Sequence, residues 1–292
     1  MYTNDWQSIH IFIHDFSEHD RFIKDYLSPY VQSSKNIHRY FFIRYWQGGP
    51  HIRFRFQGID PRKTYAEIES LLLIYKKQYH STFSLSPDMF YANHKFDGQQ
   101  PDEDELYWMD NFTAHIIPYY PEENRYGTVE QLALNEKLFE YSSELAISLM
   151  HLLPENHLLL KLIVSCYLFR LLEGFLESKQ HESISELYEQ FWAFQKNPLV
   201  DYEEICKKLI VLHEKFCENG LLLNFINNHV QAFEVVLIKL NRITNPVFFR
   251  YMMMSQIHMF NNRIGLPPEF EHLLGGKLTA KERSNAVVFQ PK

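Results

Sequence analysis

The amino-acid sequence predicts an α+β fold: a ferredoxin-like β-α-β-β-α-β N-terminal half packed on a mostly α-helical C-terminal half. Strand-like alternation and a hairpin pattern lie before residue 120, whereas the apolar spacing is helical from Thr128 onward. The chain has 292 residues, 46% of them hydrophobic, which is enough to bury a large core. We therefore predict a single domain over residues 1–292, formed by an α+β lobe (1–120) and a helical lobe (121–292).

The first two predicted elements are a strand and a helix. Isoleucines occupy alternate positions within residues 8–14, the period of a strand with one buried face. A helix is predicted from about Ser17, a good N-cap residue, to about Tyr30.

A β-hairpin is predicted next. Two β-rich runs, residues 38–46 and 51–57, are separated by Gln47-Gly48-Gly49-Pro50. The two adjacent glycines allow the positive φ angles that a tight turn requires.

The rest of the N-terminal lobe completes the β-α-β-β-α-β order. A second helix is predicted over about residues 61–79, with Asp60 as its cap, and an extended stretch over about residues 82–91. Residues 93–111 form a predicted polar, acidic loop or insertion. A short strand is predicted to follow at about residues 115–119.

The C-terminal half is predicted to contain about five or six helices, separated by proline and glycine breaks. Its most apolar window, residues 158–176, contains Lys161, Arg170 and Glu173, each of which is costly inside a bilayer. We therefore predict that this window is a buried helix and that the protein does not enter a membrane.

Composition narrows the class of protein and its location. A formal net charge of −7 argues against direct binding of nucleic acid, which usually requires an excess of Lys and Arg. The three cysteines form no CxxC pair, which favours a reducing compartment. The N-terminus does not have the pattern of a signal peptide, so we expect the protein to be cytoplasmic.

A basic strand is the first candidate site. Strand alternation places His51, Arg53 and Arg55 on one face of the second hairpin strand. Two neighbouring guanidinium groups repel each other unless an anion lies between them, and their planar shape suits a carboxylate or a phosphate. This favours an anion pocket; the alternative is a solvated face on which the arginines pair with nearby acids.

Two further segments contain candidate polar residues. Arg125, within Arg125-Tyr126-Gly127, precedes a helix and either extends over a cleft or pairs with Glu122 or Glu123 to order the turn. His258 lies on an apolar stripe of a predicted helix that also contains Tyr251 and Asn262. Partial desolvation would keep its imidazole neutral and suited to act as a base; the alternative is a core histidine.

Several common catalytic signatures do not occur. The sequence contains no HExxH, GxGxxG, Walker or GxSxG motif, so we predict no metal and no nucleotide cofactor.

Three segments together carry a resemblance to a known family. They are residues 41–46 (FFIRYW) with 49–55 (GPHIRFR), residues 125–127 (RYG), and His258-Met259 with Asn262-Arg263. In order and chemistry they resemble the C-terminal glutamate-elimination domain of lantibiotic dehydratases, and also stand-alone thiopeptide-type bacteriocin biosynthesis proteins. The resemblance runs from about Ile9 to Leu266.

The resemblance implies a lyase of ribosomal-peptide antibiotic biosynthesis, consisting of one elimination-type domain. A partner protein uses glutamyl-tRNA to attach glutamate to Ser or Thr of a precursor peptide, and this domain expels the glutamate to leave dehydroalanine or dehydrobutyrine. The implied catalytic residues are Arg53, Arg55, Arg125 and His258, with His258 as the base. The candidate substrate-binding residues are Arg44, His51, Tyr126, Tyr251, Asn262 and Arg263.

Two departures from the family pattern concern partners and substrate. The chain does not contain the glutamylating region, so a separate glutamylating partner is expected. An extra segment of about 30 residues, near 88–121, is expected to alter the peptide-binding surface. A homodimer is compatible with the sequence.

Two other functions remain open. Thiopeptide pyridine synthases are similar and join two dehydroalanines in a formal [4+2] cycloaddition with release of the leader peptide. A non-catalytic carrier of the precursor peptide, leader and core, is the alternative from another class. Elimination is preferred because the histidine and all the arginines are present. Elimination requires the histidine and the arginines to lie together around one pocket of the size of an anion.

Overall fold

The computed structural model describes residues 5–58, 60–79, 82–93, 106–154 and 157–276. The chain forms two compact units, one of Met1–Glu122 with Ser142–Asn156 and one of Glu123–Tyr141 with His157–Lys292. The described strands all lie in the first unit, and the second unit is helical in its described part. The predicted α+β class is therefore confirmed.

The first unit contains a four-stranded antiparallel sheet in the order β2-β3-β1-β4. Its strands are β1 (Gln7–Phe12), β2 (Ile37–Tyr45), β3 (His51–Gly58) and β4 (Thr113–Ile116). The predicted hairpin is confirmed as β2 and β3. The ferredoxin-like assignment of this sheet stays a prediction.

The apolar side chains of the sheet and of its helices form the core of this unit. Register pairs Ile11 with Ile52 and Ile9 with Phe54, and all four side chains are buried. The helices are α1 (His19–Phe22) and α2 (Ser28–Ser33), joined by a π-helical turn at Ile23–Leu27, then α3 (Pro61–Gln78) and α4 (Pro87–Asn93). As predicted, Asp60 caps α3, accepting hydrogen bonds from the backbone N–H of Arg62 and of Lys63.

The extended stretch predicted over residues 82–91 is wrong: its second half is helix α4, and the fourth strand is β4. Ser86, Pro87 and Asp88 are a helix start, because the Ser86 hydroxyl accepts from the Met89 backbone N–H (3.3 Å) and proline suits the first turn. The β-rich composition concealed this signal.

Part of the predicted acidic loop packs on the hairpin turn. The Tyr91 hydroxyl accepts from the Gly48 N–H (3.0 Å) and donates to the Tyr107 carbonyl (2.7 Å), and the Met109 N–H donates to the Gly48 carbonyl (2.9 Å). The acidic cluster Asp97 and Asp102–Glu105 lies outside the described residues.

The second unit is a helical bundle to which α6 contributes its N-terminal half. Its helices are α5 (Glu123–Tyr126), α6 (Val129–Leu152), α7 (Leu158–Ser178), α8 (Ser185–Trp192), α9 (Tyr202–Glu218), α10 (Gly220–Arg242), α11 (Pro246–Ile264) and α12 (His272–Gly275). Phe169 and Leu176 of α7 pack in the core with Phe249 and Met253 of α11, so the window predicted as a buried helix is confirmed.

One helix of the described part, α10, is long and apolar enough to span a bilayer by length and composition alone. A single helix of this kind is a weak indication, because core helices of globular proteins pass the same test.

Candidate active site

The polar side chains of β3 share one face of the sheet with residues of its neighbours. Register places His10 of β1 opposite Arg53, Tyr45 of β2 opposite His51, and His115 of β4 opposite His10. Directly paired residues of antiparallel strands lie on the same face. We call this surface the basic face; its members are His10, Tyr45, His51, Arg53, Arg55 and His115.

The turn between β2 and β3 fixes the start of the basic face. Gly48 and Gly49 have φ of +85° and +101°, as the adjacent glycines predict. A side chain at Gly49 would meet His14 Nε2 at 3.0 Å and the Trp108 ring at 3.4 Å. The Gly49 carbonyl accepts a hydrogen bond from His51 Nδ1 (2.8 Å), so this turn orients the first imidazole of the strand.

Burial keeps His51 neutral. Desolvation, the main cause, together with the nearby Arg53 charge, holds the pKa of His51 well below its ordinary value. With its proton on Nδ1, the imidazole offers Nε2 as an acceptor, and Arg53 Nε donates to it (3.3 Å). The imidazole thus positions the guanidinium without neutralising it.

Arg53 is held by uncharged groups. Its guanidinium carbon lies 3.3 Å from the centroid of the Tyr45 ring. Burial, the main cause, lowers the pKa of Arg53 to about 10, so the group remains a cation at neutral pH. Within the part of the chain that the structure describes, no carboxylate lies at ion-pair distance from Arg53. This arrangement favours an anion pocket over a solvated, acid-paired strand face.

Arg55 is buried among aromatic rings. Only 7% of the residue is exposed, and its guanidinium carbon lies 4.5 Å from the Tyr119 ring centroid and 5.4 Å from that of Phe41. Its charge contributes to lowering the pKa of Arg53, the repulsion expected of neighbouring cations. A bound carboxylate would relieve this repulsion.

His10 is a member of the basic face that the sequence interpretation missed. Its ring stacks on that of His51 (centroids 4.8 Å apart), and burial, then Arg53, lowers its pKa to about 2. Among the described residues, no partner bonds to its buried Nδ1. Alternation with Ile9 and Ile11 was a signal that could have placed His10 on the polar side of β1.

His258, on α11, is held at its ring face and at one nitrogen. Its imidazole stacks on Trp192 with centroids 4.5 Å apart, and Nδ1 lies 2.7 Å from Glu271 Oε1. Only 16% of the side chain is exposed. The histidine is therefore not an isolated core residue, since it bonds to a carboxylate.

Glu271 is the second residue that the sequence interpretation missed. It is fully buried, and Oε2 accepts hydrogen bonds from the Tyr188 hydroxyl and from Asn261 Nδ2 (3.1 Å). Glu271 lies 13 residues after His258 and meets it because the chain reverses after α11. No short sequence motif contains both residues.

The RYG turn is tied to α11 by hydrogen bonds. Gly127 has φ +85°, and a side chain there would overlap Gln131. Asn135 Nδ2 donates to the Tyr126 carbonyl (3.2 Å), and its Oδ1 accepts from Gln256 Nε2 (2.7 Å).

Helix α5 also packs on α11 directly, and Arg125 is exposed. Arg125 therefore projects from a turn that is fixed to the helix of His258.

The other predicted substrate-binding residues have varied settings. Arg44 pairs with Asp20 and lies opposite Ile52, so alternation directs it away from the basic face. Arg263 is fully buried, 5.3 Å from the Phe139 ring centroid. These two placements favour structural roles.

Three predicted substrate-binding residues remain. Tyr251 is 52% exposed, Asn262 is half-buried, and Tyr126 is buried with its ring 4.9 Å from that of Phe139. Substrate contact by these residues stays a prediction.

The four predicted catalytic residues are divided between the units. Arg53 and Arg55 belong to the first, and Arg125 and His258 to the second. Their gathering around one hollow stays a prediction.

Residues 6–280 match the family model described as lantibiotic biosynthesis dehydratase C-term, a span that includes the basic face, the RYG turn and His258. The chain belongs to this family. The predicted resemblance is therefore confirmed. No curated protein matches the chain.

Three solved structures resemble this member of the dehydratase C-terminal family. The pyridine synthase TbtD from thiomuracin biosynthesis has a TM-score of 0.60 and 17% identity, covering 92% of this chain and 95% of its own. The tRNA-dependent lantibiotic dehydratase MibB from Microbispora sp. 107891 has a TM-score of 0.61 and 18% identity over 98% of this chain. TsrL has a TM-score of 0.57 and 13% identity, covering 95% of this chain and 94% of its own.

These likenesses establish the fold of the family member. The chain spans only 29% of MibB, whereas it spans nearly all of TbtD.

Proposed function

We propose that this chain is a single-domain lyase that eliminates glutamate from glutamylated Ser or Thr of a ribosomal precursor peptide, leaving dehydroalanine or dehydrobutyrine. The observation that carries the proposal is the setting of Arg53: a buried cation held by a tyrosine ring and a neutral imidazole, with no carboxylate at ion-pair distance among the described residues. Such a cation suits a carboxylate ligand.

The chemistry needs a base and an anion site together. Nε2 of His258 would take the α-proton of the modified residue. The electron pair of the broken Cα–H bond then forms the Cα–Cβ double bond, and the Cβ–O bond breaks as glutamate leaves with its ester oxygen. A positioned base contributes roughly 10²–10⁴-fold, and one well-aimed donor to a developing anion about 3 kcal/mol. In this proposal Arg53, Arg55 and Arg125 share the enolate oxygen and the departing glutamate.

The proposal implies two partners in the cytoplasm. One is the precursor peptide, with its leader and core, and the other is a protein that attaches glutamate from glutamyl-tRNA. This half-reaction itself requires no contact with nucleic acid, which agrees with the net charge of −7.

A pyridine synthase is the second candidate. Its support is that the chain covers 95% of TbtD, the thiomuracin pyridine synthase, at a similar overall length. A cycloaddition of two dehydroalanines releases no glutamate, so the arginines of the basic face favour elimination.

Two substrates separate the candidates. Purified protein is incubated with a glutamylated precursor peptide, and mass spectrometry is used to detect the mass lost as glutamate. Under the proposal this mass is lost, and the loss is abolished in His258→Ala and strongly slowed in Arg53→Ala. Cyclisation of a bis-dehydroalanine peptide, with the glutamylated peptide unchanged, would establish the pyridine synthase instead. Precursor maturation that is unaffected by both substitutions would indicate a non-catalytic carrier.

A further inference from the structure

A fully buried carboxylate lies beside the proposed base. Glu271 has no exposed surface, and charged groups are buried at a high free-energy cost unless hydrogen bonds compensate. Three groups lie at hydrogen-bond distance from it: His258 Nδ1 at Oε1 (2.7 Å), and the Tyr188 hydroxyl and Asn261 Nδ2 (3.1 Å) at Oε2. Both oxygens are therefore engaged, and they are engaged by different groups.

The segment that carries this carboxylate is closely packed. Helix α11 ends at Ile264, and its cap residue Gly265 is in the left-handed conformation with φ +70°. The chain then returns through a helical turn at Pro268–Phe270 to α12. Helix α12 packs on α8, and a side chain at Gly275 would meet the Ser185 carbonyl and the backbone nitrogen of Glu189, so the two segments are in close contact.

Helix α8 supplies two of the groups around the His258 and Glu271 pair. Trp192 stacks on the imidazole face and Tyr188 bonds to the carboxylate. Helix α8 therefore fixes the plane of the His258 ring through Trp192. The segment that packs on α8 supplies Glu271, the partner of Nδ1.

We propose that Glu271 is a positioning residue for His258, acting through Nδ1. The carboxylate can only accept, so it holds the imidazole proton on Nδ1 and leaves the lone pair on Nε2 as the basic atom. When Nε2 gains a proton, the cation that forms faces a buried anion that is already in place. The role in elimination rests on the proposed function, whereas the placement of the proton does not.

Substitution by glutamine tests this placement because of how the three donors are arranged. An amide has a single oxygen, and two donors, Tyr188 and Asn261, meet at the position of Oε2. That oxygen is expected to remain there, which turns the amide NH₂ toward His258. The imidazole must then accept through Nδ1 and carry its proton on Nε2, so the basic lone pair is lost.

The first measurement is nitrogen-15 NMR of the histidine side chains in the full chain, with His258 assigned by its absence in His258→Asn. The wild-type ring is expected to be protonated at Nδ1, and Glu271→Gln is expected to move the proton to Nε2. Glu186→Gln, the same change on an exposed part of α8, is the control and should leave the signal unchanged. A wild-type His258 protonated only on Nε2 would overturn the proposal without any variant.

The second measurement is elimination from a glutamylated peptide as a function of pH. Glu271→Gln is expected to lower kcat on the order of 10²- to 10⁴-fold with KM little changed, and to shift the pH profile. Glu271→Asp should recover part of kcat. A purely structural role would instead lower the melting temperature and leave the pH profile of the remaining activity in place.

The two proposals fail separately. An Nδ1 proton on His258 in a protein that does not eliminate glutamate would leave the positioning role intact and remove the proposed function. Elimination at the normal rate in a folded Glu271→Gln protein would remove the positioning role and leave the function.

Discussion

At the scale of single residues, the candidate site depends on cations and imidazoles held by uncharged or fully bonded neighbours. Arg53 lies against Tyr45 and His51, and His258 lies between Trp192 and Glu271. Aromatic and imidazole contacts hold a guanidinium without cancelling its charge. The sequence indicated Arg53, its strand neighbour His51 and His258, but not the contacts with Tyr45, Trp192 and Glu271 that position them.

Replacing Arg53 with lysine tests the geometry of the cation. Lysine keeps the charge, but it loses the planar group that stacks on Tyr45 and can bind a carboxylate through two hydrogen bonds. We expect kcat/KM for the glutamylated peptide to fall by about 10- to 100-fold, as for the loss of one hydrogen bond to a charged group. Arg62→Lys, an exposed position on α3, is the control and should retain full activity. Equal activity in both variants would show that charge alone suffices.

At the scale of elements, the hairpin turn determines where the basic face begins. The positive φ angles of Gly48 and Gly49 let the chain reverse, and the Gly49 carbonyl then orients His51. The pair of glycines indicated the turn correctly. The residues that pack on it, Tyr91 and Trp108, are distant in sequence, and the sequence pattern predicts a strand at the first and a loop at the second.

Gly49→Ala tests the strain at this turn. The added methyl group meets His14 and Trp108, and the backbone there has a φ of +101°. We therefore expect the free energy of unfolding, measured in denaturant, to fall by about 1–3 kcal/mol. Gly174→Ala is a matched control on α7, where no heavy atom lies within 4 Å of the added group. Because alanine favours a helix, that variant should gain about 0.5–1 kcal/mol. Equal effects in the two variants would argue against strain at Gly49.

At the scale of the whole molecule, buried histidines make stability depend on pH. Burial, then the Arg44 charge, lowers the pKa of His19 from 6.5 to about 3, and His19 Nε2 bonds to the Ile13 carbonyl (2.7 Å). Burial, then the Arg53 charge, lowers the pKa of His10 to about 2. Both rings are therefore neutral in the folded protein at pH values where they are protonated in the unfolded chain.

The sign of the pH dependence follows from these shifts. Above pH 6.5 both states hold neutral imidazoles and the stability is complete; as pH falls toward 3, the unfolded chain binds protons that the folded chain excludes. Each such histidine removes up to about 1.4 kcal/mol of unfolding free energy per pH unit. The free energy of unfolding in urea should show this decline between pH 7 and 5. In His19→Gln its slope against pH should be smaller by the contribution of one bound proton. An unchanged slope in a folded His19→Gln protein would contradict the prediction.

Several features of this protein were determined by the sequence alone. Alternation and helical spacing specify the α+β class, the hairpin and the buried helix α7, because these patterns reflect local geometry and the burial of one face. The family followed from Arg53, Arg55, Arg125 and His258 in their motifs, and the match over residues 6–280 confirms it. The strand predicted over residues 82–91 failed, since a local cap at Ser86 outweighed β propensity.

Only the tertiary structure decided which groups surround the candidate residues. His10 meets Arg53 through strand register, and Glu271 meets His258 because the chain reverses after Gly265. Alternation also placed Arg44 on the opposite face, paired with Asp20. The physical reason is common to all three: a hydrogen bond or an ion pair depends on distance in space, and folding sets that distance between residues whose separation along the chain carries no such information.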